Sequence, residues 1–125
     1  MIRLALILCL IASPVMADIR VVDGDTVHID GEKIRIMGLN TPETWRPKCI
    51  AEEMLGKQAT AYGKVLAEQI GRIERHGKDR YGRTLARVYL EGGGSWAEAM
   101  ISRGLAVPFE CPNGRCPIMT RWCSK

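Results

Sequence analysis

The chain has 125 residues, 46% hydrophobic and 6% aromatic, which is enough for one small core and no second domain. A formal net charge of +4 is compatible with a polyanionic partner without requiring one. Multidomain machinery is excluded, and function has to rest on a few side chains held by one unit.

Residues 1–17 read as a signal peptide: a basic Arg3, an apolar run over 4–12, a break at Pro14, and the small-residue ending Val15-Met16-Ala17. The apolar run falls short of the roughly 20 residues a membrane span needs, so no stable membrane association is expected. Leu8-Cys9 lacks the small residue that precedes a lipidated cysteine. Loss of Arg3 with the leader removes one unit of positive charge from the mature protein, which is expected to be secreted or periplasmic.

The folded part begins with short strands. Residues 19–22 give a short, mostly apolar strand signal (Ile19, Val21, Val22), and Thr26-Val27-His28-Ile29 alternates before Asp30-Gly31, a dipeptide whose tolerance of positive φ favours a tight hairpin turn. Lys33-Ile34-Arg35-Ile36-Met37 alternates back, with Ile34 and Ile36 on one face and Arg35 on the other. Thr41-Pro42 starts a loop, because proline drives the residue before it out of helical geometry.

A helix is predicted over 49–70, where Leu55, Ala59, Tyr62 and Leu66 share a face; Gly56 and Gly63 weaken it, and Gly71 is placed to end it in a left-handed cap. Strands follow over 70–75 and 85–90, joined by a loop over 76–83. After Gly92-Gly93-Gly94, Ser95-Trp96-Ala97-Glu98 is a capping-box signature that launches a short helix stopped by Gly104. The expected class is mainly β with α (α+β): a five-stranded barrel of the oligonucleotide-binding (OB) type, with one helix inserted after the third strand and a short second helix. This domain spans 18–109, and a cysteine-rich tail covers 110–125.

Once Cys9 is removed, Cys49, Cys111, Cys116 and Cys123 remain, an even number bound for an oxidising compartment. Two disulfides are expected. Three pairings are possible; the preferred one joins Cys111 to Cys116 around Pro112-Asn113-Gly114 and ties Cys49 to Cys123. A four-cysteine zinc site would prefer close Cys-x-x-Cys pairs, which are absent.

Three turn-like segments concentrate charged and oxygen-bearing side chains: Asp23-Gly24-Asp25-Thr26-Val27, Arg35-Ile36-Met37-Gly38-Leu39-Asn40-Thr41-Pro42-Glu43, and Asp79-Arg80-Tyr81-Gly82-Arg83-Thr84-Leu85. With these residues the chain resembles the thermonuclease family, the staphylococcal-nuclease-like domains, from about Val21 to Val107. The run from Asp79 through Tyr89 fits the family's second signature at every defined position. The first signature fits less well: the hairpin between Ile29 and Arg35 is shorter, and Asn40 stands where the family usually has an aspartate. Beyond Val107 the likeness fades, the family's long C-terminal helix being replaced by the brief cysteine-rich tail.

The resemblance implies roles. Arg35 and Arg83 match the catalytic arginines, suitable because planar, permanently charged donors can clamp the equatorial oxygens of a phosphodiester transition state. Glu43 matches the proposed general base, able to accept a proton from water or orient it. Asp25 matches a calcium ligand, with the Thr41 carbonyl and Asn40 beside it; an uncharged amide at position 40 implies weaker calcium binding. Asp23 is expected to fix the turn, with Gly24 and Gly82 as backbone necessities. Arg80 and Tyr81 are expected to contact substrate phosphate, with core packing as the rival for Tyr81. His28, His76, Trp96 and Trp122 are expected to be structural. The implied protein is a monomeric, calcium-dependent nuclease that hydrolyses DNA and RNA with little sequence preference, leaving 3′-phosphate ends; the alternative is a catalytically weak or inactive nucleic-acid-binding OB-fold module.

Overall fold

The computed structural model describes residues 9–14, 16–118 and 122–123. Of the expected leader, residues 1–8 and Val15 lie outside the described residues; the remaining positions are exposed and without regular structure.

The elements in chain order are β1 (Ile19–Asp23), β2 (Thr26–Ile29), β3 (Glu32–Ile36), β4 (Gly38–Asn40), α1 (Ile50–Ala67), β5 (Ile70–Lys78), β6 (Thr84–Leu90), α2 (Trp96–Ser102) and β7 (Val107–Phe109). Five strands form one sheet in the order β1-β2-β3-β6-β5, parallel only between β3 and β6; β4 and β7 make a separate antiparallel pair. The fold is therefore mixed α+β with a five-stranded sheet and two helices. The expected five strands are all present, but two more appear, and α1 follows the fourth strand rather than the third. Strands β4 and β7 are three residues each, too short for an alternating pattern to register.

Local expectations explain much of the scaffold. Asp30 and Gly31 have φ of 48° and 82°, the positive values a two-residue hairpin requires, and Ile29 pairs with Glu32 across the turn. Ile34 and Ile36 are fully buried, while Arg35 projects from the opposite face. The core gathers Val27, Ile34, Ile36, Leu39, Ala59, Leu66, Ala86, Val88, Trp96 and Met100. At α2 the Ser95 side chain accepts from the Glu98 amide and Glu98 reaches back to the Ser95 amide, the reciprocal cap expected from the sequence.

Two expectations are corrected. Helix α1 ends at Ala67 with Glu68 as its cap in right-handed geometry, and Gly71 lies in β5, where a Cβ would come 3.2 Å from the Glu91 backbone nitrogen. Close approach of two strands, not a left-handed cap, is what the glycine serves. Strand β5 also runs on to Lys78, so His76 belongs to a strand and the connecting loop shrinks to 79–83. The extension is pinned at its edge: Arg75 makes a forked pair with Glu32, which also accepts from the Thr84 hydroxyl.

Both disulfides follow the preferred pairing, Cys49 with Cys123 and Cys111 with Cys116. The thiols a zinc site would need are thereby consumed. Among the described residues no helix is long and apolar enough to cross a membrane.

Candidate active site

The turn between β1 and β2 places the first acidic pair. Its Asp23 Oδ1 accepts from the Asp25 amide at 3.2 Å, so Asp23 does fix the turn. Gly24 is required by crowding: a Cβ there would stand 2.7 Å from Thr41 Cγ2 and 2.9 Å from Ala59 Cβ. The Gly24 carbonyl accepts from Trp96 Nε1 at 2.8 Å, which anchors the turn to α2 and accounts for Trp96 as a buried structural residue.

Asp25 is buried and accepts from the Thr26 hydroxyl at 3.0 Å and the Thr41 amide at 3.2 Å. Arg35 Nη2 lies 3.4 Å from Asp25 Oδ2. The Arg35 guanidinium also donates to the carbonyls of Ile36 and, at 3.0 Å, Leu39. Burial by itself would raise the Asp25 carboxyl, but the Arg35 charge and the hydrogen bonds of Asp23, Thr41 and Thr26 outweigh it and hold the group below its ordinary value. Asp23 takes the opposite course: burial, then the hydrogen bond and charge of Asp25, push it up to about 8. Two neighbouring carboxyls that cannot share their negative charge comfortably are what a cation would relieve.

The donor set suits a hard cation. Asp25 and Asp23 carboxyls, the buried Asn40 amide and the Thr41 carbonyl offer oxygen only, the chemistry calcium prefers. Among the described residues, however, no group of three or more His, Cys, Asp and Glu could hold a metal. With asparagine at position 40 the negative charge at neutral pH comes mainly from Asp25, since Asp23 is pushed up to about 8, and Arg35 already balances part of it.

Glu43 is placed by a device the sequence conceals. Gly56 on α1 faces the loop so closely that a Cβ would sit 2.9 Å from the Glu43 carbonyl oxygen and 3.1 Å from that of Pro42. The glycine that weakens the helix is what lets it support the loop; two glycines in one predicted helix were the available signal. The Glu43 residue is exposed, and its carboxyl is raised from the ordinary value by partial burial and the charges of Asp25 and Glu52, against which Arg35 and Arg83 pull it down. Both arginines therefore act electrostatically on this one carboxylate.

Arg83 reaches the site from the 79–83 loop. Asp79 accepts from the amides of Tyr81 and Arg83, each at 2.9 Å, and from Arg83 Nε at 2.8 Å. One carboxylate thus shapes the turn and aims the guanidinium, with Gly82 at φ 78° completing it. Asp79 was not singled out as a functional position, although its spacing of four from Arg83 was visible. Tyr81 is 67% exposed, which removes core packing as its role. Arg80 donates to its hydroxyl at 2.7 Å, and the Arg80 and Arg83 guanidinium groups lie 4.9 Å and 5.5 Å from its ring centre.

Other residues are engaged elsewhere. Arg87 pairs with Glu110 at 3.1 Å, His28 with Arg20 at 3.1 Å, and His76 with Glu74 at 2.6 Å. A groove lined by Met37, Arg87, Tyr89 and Ser95 contains none of the site residues.

Permanent cations, a carboxylate raised above its ordinary value and neighbouring oxygen donors make up a set suited to phosphodiesters. Comparison with known proteins agrees. Residues 33–116 match the family model described as Staphylococcal nuclease homologue. The thermonuclease of Staphylococcus intermedius is 39% identical over 114 residues, covering 85% of this chain and 67% of that protein. The thermonuclease of Staphylococcus hyicus is 41% identical over 103 residues, covering 76% of this chain and 60% of its own length. Endonuclease YhcR of Bacillus subtilis is 35% identical over 100 residues, 70% of this chain but 8% of that protein. The chain belongs to the staphylococcal nuclease family, and these relatives carry names that state nuclease activity. It spans about two thirds or less of their length.

Proposed function

We propose that this protein is a secreted, calcium-dependent nuclease that hydrolyses DNA and RNA with little sequence preference and leaves 3′-phosphate ends. The observation that carries the reading is Arg35 held 3.4 Å from the buried Asp25, with the charges of Arg35 and Arg83 both drawing down the Glu43 carboxyl that Asp25 raises. The strand order β1-β2-β3-β6-β5 supports an OB-type barrel, in which β1 and β5 would come together. Secretion is supported by the two disulfides, which persist in oxidising compartments, and by the apolar leader. Substrate binding is expected to be strongly salt-dependent, because phosphates rather than base edges are recognised.

In this reading Glu43 accepts a proton from water, or orients it, as the water oxygen attacks phosphorus. The bond from phosphorus to the 5′-oxygen breaks, that oxygen takes up a proton, and the phosphate stays on the 3′-oxygen. Arg35 steadies a non-bridging oxygen in ground and transition states. It is already held by Asp25 and two carbonyls, so little reorganisation is needed. Arg83, aimed by Asp79, stabilises charge in the transition state and on the departing oxygen. Arg80 and Tyr81 contact flanking phosphate. Calcium, held by Asp25 with the Thr41 carbonyl and Asn40, would supply charge neutralisation for the phosphate and its attacking water. The neutral amide at position 40 favours a second reading, a binding module with little turnover.

Incubation of the mature protein with denatured DNA, in calcium or in chelator, separates the two. The nuclease reading expects digestion abolished by chelator and reduced about 10²- to 10³-fold by Arg83→Ala. Retention of intact nucleic acid without cleavage in calcium would establish the binder instead.

A further inference from the structure

We propose that Trp45, with Arg46 behind it, is a stacking platform for an unpaired nucleobase next to the cleaved phosphate. The inference rests on the nuclease reading for the identity of the polymer.

Trp45 is 73% exposed, an unusual position for the largest side chain in a protein with a small core. One face of the indole is taken by the Arg46 guanidinium, 4.4 Å from the ring centre. The backbone that allows this is unfavourable twice over. Arg46 has φ 56°, a left-handed value seldom adopted by residues with a side chain, and Pro47 follows it, which favours extended geometry at position 46. A strained turn whose product is an exposed, cation-backed aromatic ring is the kind of outlier that points to a ligand.

The ring is also fixed beside the chemistry. Two residues of chain reach at most about 7 Å, so the Trp45 backbone stays close to that of Glu43. On one side the loop is seated against Gly56 through the Pro42 and Glu43 carbonyls. On the other, the Lys48 amide donates to Glu52 at 3.0 Å, and Cys49 is tied to Cys123. The platform is thus a short span clamped at both ends, with Arg46 and Lys48 supplying positive charge for a phosphate chain. Of the nearby acids, Glu43 is exposed and lies under the charges of Arg35 and Arg83, Glu52 is buried, and Glu53 is paired with Lys57.

An indole stacks on any base, which fits cleavage with little sequence preference. It cannot stack on a base that keeps both neighbours in a duplex. Only an unpaired or extruded base can occupy it, so the occupant is a single-stranded segment.

The test compares the wild-type full chain with Trp45→Ala, Trp45→Phe and Trp45→Leu, using one oligonucleotide sequence as single strand, duplex, and single strand with abasic sugars. Cleavage kinetics in calcium give KM and kcat, and anisotropy in chelator gives Kd without turnover. Stacking by one base predicts a rise in KM and Kd of about 5- to 150-fold for the single strand in Trp45→Ala, with kcat unchanged. Phe retains most of the affinity, Leu does not, and the abasic strand and duplex respond to none of the changes. Equal effects on normal and abasic strands, no effect on either, or full affinity in Trp45→Leu would overturn the platform. A wild-type protein that fails to cleave but shows the base-dependent Kd would overturn the nuclease reading while leaving the platform standing.

Discussion

The two arginines of the candidate site are held in opposite ways. Arg35 comes from a sheet strand, its side chain is 14% exposed, and it is fixed by Asp25 and two backbone carbonyls. Arg83 comes from a five-residue loop, its side chain is 30% exposed, and among the described residues Asp79 is the one charged partner of its guanidinium, with the Tyr81 ring 5.5 Å away. Around Arg35, building the site and building the fold are one event, since the same contacts bury Asp25 and register the Thr41 backbone. Around Arg83 the site is a local attachment that the core does not need.

This contrast predicts that the arginines separate by stability although both matter for activity. Loss of either donor is expected to lower kcat by about 10²- to 10³-fold. Arg35→Ala also leaves the buried Asp25 charge unpaired, at a cost of about 3 kcal/mol, seen as a lower denaturant midpoint. That deficit is expected to shrink when calcium is added, because a cation can replace the guanidinium. Arg83→Ala, lacking a part-buried loop pair that no core residue shares, is expected to unfold within about 1 kcal/mol of wild type. Equal destabilisation by the two substitutions would erase the distinction.

Gly56→Ala sharpens the comparison from the Arg35 side. Its Cβ would meet the Glu43 carbonyl at 2.9 Å, an obstacle of backbone that cannot rotate away. Overpacking of this kind costs about 1–3 kcal/mol, although alanine is the better helix former. Because the loop carries Glu43, kcat is expected to fall along with stability. A Gly56→Ala protein more stable than wild type, with unchanged kcat, would show that the helix does not seat the loop.

Position 40 offers a gain rather than a loss. Asn40→Asp adds a third carboxyl where Asp25 and Asp23 already meet, and calcium affinity rises with ligand charge. Calorimetric titration is expected to show binding tighter by roughly tenfold. In chelator the same substitution should destabilise, because a second buried negative charge would then stand beside Asp25 with Arg35 already engaged. Unchanged or poorer affinity would remove the argument that asparagine weakens the site.

How much of this was legible in the sequence depended on range. Asp30-Gly31, the Ser95–Glu98 capping box and the alternation around Arg35 were readable because each is decided within a few residues. Strands β4 and β7 were not, since three residues carry no usable period and their pairing joins positions 38–40 to 107–109. Gly56 and Gly63 looked like helix defects because their purpose lies on other elements: a Cβ at Gly63 would stand 3.0 Å from Val21 and 3.2 Å from Trp96. Trp45 escaped notice for the same reason, its exposure being a property of the folded surface. Asp79, by contrast, could have been found, because a carboxylate four residues from an arginine within a glycine turn is a local pattern.

That residue supplies the smallest expected effect, and it tests the Arg83 side of the comparison. Burial would raise the Asp79 carboxyl, but the amide and guanidinium of Arg83 and the Tyr81 amide win and hold it below the ordinary range. A carboxyl depressed in the folded state contributes stability that is present above its unfolded value of about 3.9 and is lost as pH falls through the folded value. Asp79→Asn keeps a side-chain acceptor for the two amides but cannot titrate. Wild type is therefore expected to exceed the variant by no more than about 1 kcal/mol near neutral pH, since the group is partly solvated, and the gap should close as the pH falls through the depressed folded value. Over the same interval Arg83 loses its only charged orienting partner among the described residues. The variant's deficit in kcat at neutral pH should accordingly exceed its deficit in stability, which is what a side chain attached to the fold, rather than built into it, requires.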